Sequence, residues 1–246
     1  MTYGTSGVEI TENHAYGTDV ELPFRFEDCS ELEITGNTVD SNSDMGMGFI
    51  GITNSTVSGN TMDNNIYNFW MSPVVLDPGD LPGNLIDQTN MAEGKPIWYF
   101  EAADDLSVDS SDNLAALFLY ACDNARVKDV TFKTNSDGVM ALYCENATIT
   151  NCSFQQLYRG IMAVMSPHLT IQDNHFTGCF DGMMVGDFYD GQISGNLIEN
   201  SGDSGIVTGI YLEDVEVRNN VIDTALAGLY LDHVSGFNNV VFDLSL

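Results

Sequence analysis

Apolar residues recur along this chain at a fixed spacing, with an asparagine between them. The motif is apolar-x-x-Asn-x-apolar, and the first residues of most successive matches lie 22 to 24 residues apart. The sixth position is apolar in all nine matches, and the fourth is Asn in six of them. Such regularity predicts an internal structural repeat. The matches are Ile10-Asn13-Ala15, Ile34-Asn37-Val39, Val57-Asn60-Met62, Val127-Val130-Phe132, Ile149-Cys152-Phe154, Ile171-Asn174-Phe176, Ile193-Asn196-Ile198, Val217-Asn220-Ile222 and Phe237-Val240-Phe242.

The length of the repeat identifies the fold class. A period of about 22 residues is too short for a propeller blade or a helical repeat, and the Leu-x-x-Leu-x-Leu spacing of leucine-rich repeats is absent. We therefore predict an all-β, right-handed parallel β-helix of about 10 to 11 coils with about 22 residues per coil. Asn side chains at one corner of each coil can bond to the same amide one coil above and below. The apolar column two residues later fills the interior, where Phe132, Phe154 and Phe176 can stack.

A second strand is expected about ten residues before each corner. Pairs of apolar residues alternate there with other residues, as in a strand that faces a core. In the last coils the pairs shift to Ile210-Leu212 and Leu229-Leu231, and glycines such as Gly138 are expected to make tight turns before these strands. The earlier pairs are Phe24-Phe26, Met47-Phe49, Leu117-Leu119, Val139-Ala141, Ile161-Ala163 and Met183-Val185.

Between Val57 and Val127 the repeat loses its register. Three of the six prolines, Pro73, Pro78 and Pro82, lie within residues 72–83 of this segment, and Pro is rare inside a sheet. We predict one β-helix domain over residues 1–246, with a loop excursion near Pro78 at about residues 72–94. Long surface loops often carry function, and a merely decorated connection is the alternative.

The sequence after this loop resembles a known family. The segments are Ile86-Asp-Gln-Thr-Asn90, Gly94-Lys-Pro-Ile-Trp-Tyr99 and Ala116-Leu-Phe-Leu-Tyr-Ala-Cys122. They are similar to the signature of NosD-type repeat proteins with CASH domains, which are abundant on the surfaces of archaea, methanogens especially. The resemblance implies a β-helix located outside the membrane. It also implies, within the structural class, a subunit of a cell sheath or surface layer.

The charge balance narrows the set of partners. Lys and Arg total 7 and Asp and Glu total 36, so the formal net charge is −29. Nucleic acids, anionic membrane surfaces and polyuronates would be repelled. No apolar run is long enough to span a membrane. We predict no cofactor other than Ca²⁺, a hard cation that binds acidic loops. The weak candidate ligands are Asp77, Asp80, Asp187 and Asp190.

Five cysteines are candidates for disulfides. Cys29, Cys122 and Cys144 each lie five residues before a repeat start and so share one column of the coil. Cys122 and Cys144 are one coil apart, within disulfide reach if their side chains are suitably oriented. Cys152 lies in the Asn column and Cys179 on an outer turn. Buried free thiols that act as small apolar side chains are the alternative.

Three sequons agree with an extracellular location. Asn54, Asn146 and Asn151 each begin an Asn-x-Ser/Thr triplet and are candidate glycosylation sites.

Three functions remain open from the sequence. A structural subunit would assemble into a homopolymer through the two ends of its β-helix, a non-closing contact that builds filaments. A carbohydrate-binding module would carry exposed aromatics such as Trp70, Trp98 or Tyr99 in a lateral groove. A polysaccharide lyase, hydrolase or epimerase would bring two or three carboxylates together there.

The enzyme is the least favoured of the three. Asp181, Asp187 and Asp190 lie within ten residues, and Asp203 and Asp214 are one coil further on. Among 36 acids such grouping is expected by accident. We therefore predict no catalytic residue and no enzyme, and rank the structural subunit first.

Overall fold

The structure, a computed structural model, describes residues 2–17, 23–72, 80–209, 212–224, 226–231 and 241–245. The regular structure in these ranges is β-strand. No helix long and apolar enough to cross a membrane is found in the part of the chain that the structure describes. The residues group into two compact units. The first comprises Met1–Glu101, Leu114–Phe118 and Thr134–Asp137, and the second comprises Ala102–Asn113, Leu119–Lys133 and Gly138–Leu246.

The strands are short, as the repeat predicts. Up to residue 101 they are β1 (Thr2–Tyr3), β2 (Glu9–Thr11), β3 (His14–Tyr16), β4 (Phe24–Glu27), β5 (Glu33–Thr35), β6 (Thr38–Asp40), β7 (Met45–Ile50), β8 (Thr56–Ser58), β9 (Thr61–Asp63), β10 (Tyr67–Ser72), β11 (Leu85–Ile86), β12 (Met91–Ala92) and β13 (Lys95–Glu101). From residue 102 they are β14 (Ser107–Val108), β15 (Ala116–Tyr120), β16 (Arg126–Lys128), β17 (Thr131–Lys133), β18 (Asp137–Leu142), β19 (Thr148–Thr150), β20 (Ser153–Gln155), β21 (Arg159–Val164), β22 (Thr170–Gln172), β23 (His175–Thr177), β24 (Asp181–Gly186), β25 (Phe188–Tyr189), β26 (Gln192–Ser194), β27 (Leu197–Ser201), β28 (Ser204–Thr208), β29 (Leu212–Glu213), β30 (Glu216–Thr224), β31 (Ala227–Leu231) and β32 (Val241–Ser245).

In the first unit the strands stack in parallel along three ladders. These are β1-β4-β7-β10, β2-β5-β8-β11 and β3-β6-β9-β12, and β13 pairs antiparallel with β12. Ile34 pairs with Ile10 on one side and with Val57 on the other, so the predicted repeat positions coincide. Phe26 and Phe49 stack inside this unit with ring centroids 5.3 Å apart. Both side chains are fully buried.

The second unit repeats the arrangement at a stricter interval. Ile149 pairs with Ile171, and Ile171 pairs in turn with Ile193, so each coil aligns with the next at the same spacing. The predicted parallel β-helix, with its coil of ~22 residues, is therefore confirmed. Phe154 lies parallel to Phe132 at 5.2 Å between centroids and to Phe176 at 4.7 Å, which confirms the predicted interior stack. The prediction of a single domain over residues 1–246 stays a prediction.

The glycines before the second strand have a different role from the predicted one. Gly138 lies inside β18, and a Cβ there would be 2.7 Å from Phe154 Cδ1 and 2.8 Å from the carbonyl oxygen of Gly160. Gly160 and Gly182 likewise lie inside strands, each against a bulky interior side chain. These glycines make room for the interior stack rather than for a tight turn.

Two register predictions for the last coils are wrong. Ile206 and Thr208 occupy the second-strand positions assigned to Ile210-Leu212, and they pair with Leu229 and Leu231. A buried Thr at one of these positions hides the apolar alternation that the prediction relied on. Phe242 pairs with Val217 instead of Ile222, so the last repeat is displaced from its predicted register. Phe237 lies outside the described residues.

The asparagine ladder is confirmed in both units. In the first, the side-chain nitrogen Nδ2 of Asn13 donates to Asn37 Oδ1 at 3.1 Å, and Nδ2 of Asn37 donates to Asn60 Oδ1 at 2.9 Å. In the second, Asn174 donates to Asn196 at 3.0 Å and Asn196 to Asn220 at 2.8 Å.

The sequence analysis missed three asparagines that belong to such ladders. Asn60 donates to Asn90 at 2.8 Å, although one extra residue separates Asn90 from its repeat start. A parallel ladder joins Asn42 to Asn65 at 2.8 Å. Both rows are buried, so each amide satisfies polar groups that water cannot reach.

The predicted loop is only partly described. Residues 73–79, with Pro73 and Pro78, lie outside the described residues. By residue 85 the chain has returned to a ladder, because Leu85–Ile86 pairs with Thr56-Val57. The Glu101 carboxylate accepts hydrogen bonds from the amides of Gly83 and Asn84, both at 2.9 Å. One acidic side chain thus anchors the end of this segment.

Candidate functional site

All five cysteines are free and buried. No disulfide candidate is bridged in this structure, and the alternative of buried thiols describes these positions. The Cys122 and Cys144 thiols are hydrogen bonded to each other, and this bond together with burial raises the pKa of Cys144. Burial raises the pKa of Cys152 and of Cys179 to about 11. The thiols of Cys144, Cys152 and Cys179 are therefore protonated at neutral pH, whereas the hydrogen bond with Cys144 lowers the pKa of Cys122 to about 7. The five free cysteines are Cys29, Cys122, Cys144, Cys152 and Cys179.

The predicted calcium ligands do not converge in the described part of the chain. Asp77 lies outside it, and Asp80 is an exposed residue next to the gap. Asp187 and Asp190 lie on either side of the short strand β25. No group of three or more His, Cys, Asp or Glu side chains suited to a metal ion occurs among the described residues. Calcium binding stays a prediction.

The sequon asparagines are accessible. Asn54, Asn146 and Asn151 are exposed, and each adopts a left-handed backbone conformation with φ of 50° to 57°. They lie at turns between strands. Glycosylation at these sites stays a prediction.

The five grouped acids separate into two places. Asp190 and Asp214 follow one another at a corner of successive coils, because the Asp190 amide donates to the carbonyl of Glu213. With Glu216, Thr170 and Gln192 they line a shallow open cleft of about 510 Å³. His168 and Tyr189 lie beside it, with the His168 Nδ1 atom 4.0 Å from an Asp190 carboxylate oxygen.

The other place, with Asp181 and Asp203, is at the N-terminal end of strand β24, whereas Asp190 follows the C-terminal end. An aromatic stack begins next to it in the sequence. Tyr158 and Phe180 lie one coil apart, and their rings are parallel within 5° at 5.0 Å between centroids. Phe180 is 39% exposed. The next position of this column, one coil further on, is Gly202, whose amide bonds to the carbonyl of Cys179. We call Tyr158, Phe180 and Gly202 the aromatic platform.

Glycine leaves the end of this stack open. A Cβ at Gly202 would lie 3.2 Å from Phe180 Cδ2, so any side chain there would begin in contact with the ring. Without one, Gly202 places no side chain over the ring face turned away from Tyr158. An exposed flat apolar face next to polar groups is a typical feature of ligand sites.

Charged residues directly follow the three platform residues in the sequence. The Arg159 guanidinium lies 5.7 Å from the Tyr158 ring centroid, within cation–π range. Arg159 pairs in register with Asp181, which in turn pairs with Ser204. The Ser204 amide donates to the Asp181 carboxylate at 3.2 Å. Asp203 follows Gly202 directly and acts electrostatically on Asp181.

The raised pKa of the Asp181 carboxyl makes the free energy of unfolding depend on pH. Partial burial is the main cause that raises its pKa above 3.8, and the nearby charge of Asp203 adds to the rise. The folded chain therefore binds more protons than the unfolded one as the pH rises above 3.8, and its free energy of unfolding falls through this interval.

We expect Asp181→Asn to remove that part of the pH dependence and to be more stable than the natural chain at pH 7. The amide oxygen can still accept from Ser204, and the unfavourable charge is gone. Urea unfolding between about pH 3.5 and 7 checks this. Asp190→Asn, at an exposed position, is the control. An identical pH profile for Asp181→Asn and the natural chain would contradict the expectation.

The sequence analysis looked for exposed aromatics in the wrong place. Tyr99 is 9% exposed, and its hydroxyl donates to Glu101. Trp70 and Trp98 are half-buried in strands. The equal spacing from Tyr158 through Phe180 to Gly202 was readable in the sequence. It was missed because the search followed the interior columns only.

The comparison with protein families agrees with the fold. The model of the family described as right-handed β-helix region matches residues 103–242. A comparison with curated protein sequences finds no significant match. Among solved structures, the A-module of the mannuronan C-5 epimerase AlgE6 of Azotobacter vinelandii is similar, with a TM-score of 0.43 and 11% identity over 96% of this chain and 78% of that one. A mannuronic acid specific polysaccharide lyase of family 6 from human gut microbiota is similar with a TM-score of 0.28 and 10% identity over 100% of this chain and 78% of that one.

The prediction that the chain is no enzyme is contradicted by this comparison. The similar structures include two mannuronan epimerases and a polysaccharide lyase. At so low a sequence identity the similarity concerns the fold alone, and no reaction is transferred to this chain.

The family match covers more than half of the 246 residues and includes the coils whose register was described above. Parallel pairing of Ile149, Ile171 and Ile193 is the structural counterpart of that match. The chain belongs to the right-handed β-helix proteins.

Proposed function

We propose that this chain is an extracellular surface protein that binds a glycan without carboxylate groups through the aromatic platform. The observation that carries the proposal is the stacked pair Tyr158 and Phe180, whose outer ring face is left open at Gly202. A sugar ring has an apolar face of C–H groups and a rim of hydroxyls. An aromatic face attracts the C–H groups by dispersion, and charged side chains form hydrogen bonds with the hydroxyls.

The surroundings favour the same class of ligand. Arg159 lies against the Tyr158 ring, and Asp181 and Asp203 follow Phe180 and Gly202 in the sequence, so that donors and acceptors for hydroxyl groups are carried by the same coils. The net charge of −29 disfavours polyuronates, because like charges repel. An extracellular location is part of the proposal, since the three exposed sequon asparagines and the NosD-type and CASH-type resemblance favour it.

Binding to defined oligosaccharides tests the proposal. Cello-oligosaccharides and mannan oligosaccharides serve as neutral probes and oligomannuronate as the acidic one, with titration calorimetry as the readout. We expect measurable binding of at least one neutral probe and none of oligomannuronate. Phe180→Ala should raise the Kd at least about tenfold, because about 1.4 kcal/mol of stacking is lost.

A matched control is available. Tyr189 is 45% exposed at the other corner of the same coil, so Tyr189→Ala removes a similar aromatic area away from the platform. This variant should bind as the natural chain does. If Phe180→Ala binds as tightly as Tyr189→Ala, the platform is not the binding site and the proposal fails.

Self-association is a second candidate, since an isoleucine of strand β2 in the first unit is only partly covered. Ile34 is completely buried, whereas Ile10, its neighbour at the edge of the ladder, is half-buried. Free strand edges favour pairing with another chain. We propose that copies of this chain join there as subunits of a surface layer or sheath.

Sedimentation velocity of the natural chain and of Ile10→Lys, with and without reductant and chelator, tests this second proposal. Polymers of the natural chain that are lost in the variant would support it. A monomer under all conditions would refute it.

A further inference from the structure

We propose that Cys122 and Cys144 form a disulfide that joins two successive coils of the second unit when the chain folds in an oxidising environment. This site is separate from the aromatic platform, and the inference does not depend on glycan binding. The two residues are 22 positions apart and occupy the same column of the coil. Both are thiols in this structure, and both are completely buried.

The backbone holds the two cysteines opposite each other. One hydrogen bond precedes them, from the Ala121 amide to the Leu142 carbonyl, and one follows them, from the Asn124 amide to the Glu145 carbonyl. Both are 2.8 Å long. Backbones paired in this way lie about 4.8 Å apart. The Cα atoms of a disulfide lie about 4.4–6.8 Å apart, so the spacing of these coils suits the bond.

The sulfur atoms also lie close together. The Cys144 Sγ is 3.3 Å from the Leu142 carbonyl oxygen on its own coil and 3.7 Å from the Leu119 carbonyl oxygen on the preceding coil. On that preceding coil, the Cys122 Sγ is 3.4 Å from the Tyr120 carbonyl oxygen. The two thiols are hydrogen bonded to each other. The folded chain therefore presents the two sulfurs to each other without a rearrangement of the coils.

No other cysteine has a second cysteine opposite it on the adjacent coil. The residues at these places are Val130 and Asn174 for Cys152, Leu157 and Ser201 for Cys179, and Thr5 and Ile52 for Cys29. The fold thus selects one pair among the five cysteines.

The reaction is an exchange with a small-molecule disulfide such as oxidised glutathione. The Cys122 thiolate attacks one sulfur of the reagent, a mixed disulfide forms, and one glutathione thiolate leaves. The Cys144 thiol then loses its proton and attacks the Cys122 sulfur, and the second glutathione thiolate leaves. The two cysteines lose two electrons in total, and the reagent is reduced to two thiols. Because both sulfurs are buried after folding, the reagent reacts before these coils close.

Refolding in a redox buffer tests the proposal. The reduced natural chain is diluted from urea into oxidised and reduced glutathione at about pH 8, where thiolates are present. The remaining thiols are then alkylated in urea, and the chain is digested without reductant for mass spectrometry. We expect one cross-linked peptide pair, which joins residues 122 and 144. The closed loop restricts the unfolded chain, so the Tm should exceed that of the reduced sample by about 5–10 °C.

Single variants assign the effect to this pair. Cys122→Ser and Cys144→Ser should lose both the cross-link and the difference in Tm. A serine suits this column, because Ser166 occupies it on the next coil and accepts a hydrogen bond from the Cys144 amide at 3.1 Å. The matched controls Cys152→Ser and Cys179→Ser should keep the cross-link and the difference. Circular dichroism verifies folding, and the peptide map of the natural chain decides the pairing if a variant does not fold.

Three outcomes would overturn the proposal. The first is a refolded natural chain whose five cysteines are all alkylated. The second is a mixture in which Cys122 is joined equally to several cysteines. The third is a cross-link between Cys122 and Cys144 that lowers the Tm, since the bond would then distort the coils instead of fitting them.

Discussion

Phe154→Ala is expected to lower the free energy of unfolding by about 3–5 kcal/mol. The ring is fully buried and lies between Phe132 and Phe176 at 5.2 and 4.7 Å between centroids. Removing it opens a cavity that two rings line and that short, hydrogen-bonded strands cannot close. The ladders hold β17, β20 and β23 in register, so the neighbours have little freedom to collapse.

Urea unfolding followed by circular dichroism measures this change, and the Tm should fall by about 10 °C. Phe180→Ala is the matched control, because it deletes the same atoms from a half-exposed ring on the outside of the coil. Its loss of stability should be less than half as large. Equal losses in the two variants would mean that the interior stack does not contribute specially to stability.

The second large effect is expected at the asparagine ladder. Asn196 donates to Asn220 Oδ1 at 2.8 Å and to the Ile171 carbonyl at 3.0 Å, and its own Oδ1 accepts from Asn174. Asn196→Ala breaks all of these bonds in a fully buried place. Each buried polar group left without a partner is destabilising by about 1–3 kcal/mol, so a total of about 3 kcal/mol is expected.

Asn151→Ala provides the comparison. This asparagine is exposed and bonds through its side chain to Asp129, where water can replace it. Its removal should change the free energy of unfolding by about 0.5 kcal/mol or less. Thermal and urea unfolding of both variants check the pair of expectations. A small effect of Asn196→Ala would indicate that water enters the ladder and satisfies its members.

The interior of the coils was predictable from the sequence because the fold repeats each constraint. A side chain at Ile171 meets its counterparts in the coils on both sides, so the same apolar requirement appears three times in the sequence. Asn174 and Asn196 are readable for the same reason. The positions that failed are those where one coil differs from the next, such as Thr208 in an apolar column.

The outer surface was less predictable for a physical reason. Exposed residues are not constrained by a neighbour in the next coil, so their columns are irregular and chance groupings are common. The five grouped acids illustrate this, because strand β24 separates Asp181 from Asp187 and Asp190 by its own length. The aromatic platform could have been found from its spacing. The role of Gly202, however, follows only from the structure, which places the Phe180 ring next to it.

The constant interval between Ile149, Ile171 and Ile193 has an evolutionary consequence. Deleting or duplicating one such interval joins positions that already carry equivalent side chains, so the flanking pairs keep their alignment. Related genes can therefore differ by whole windings through slippage during replication, while single-residue insertions shift every following column. Length variation in multiples of this unit is the tolerated kind.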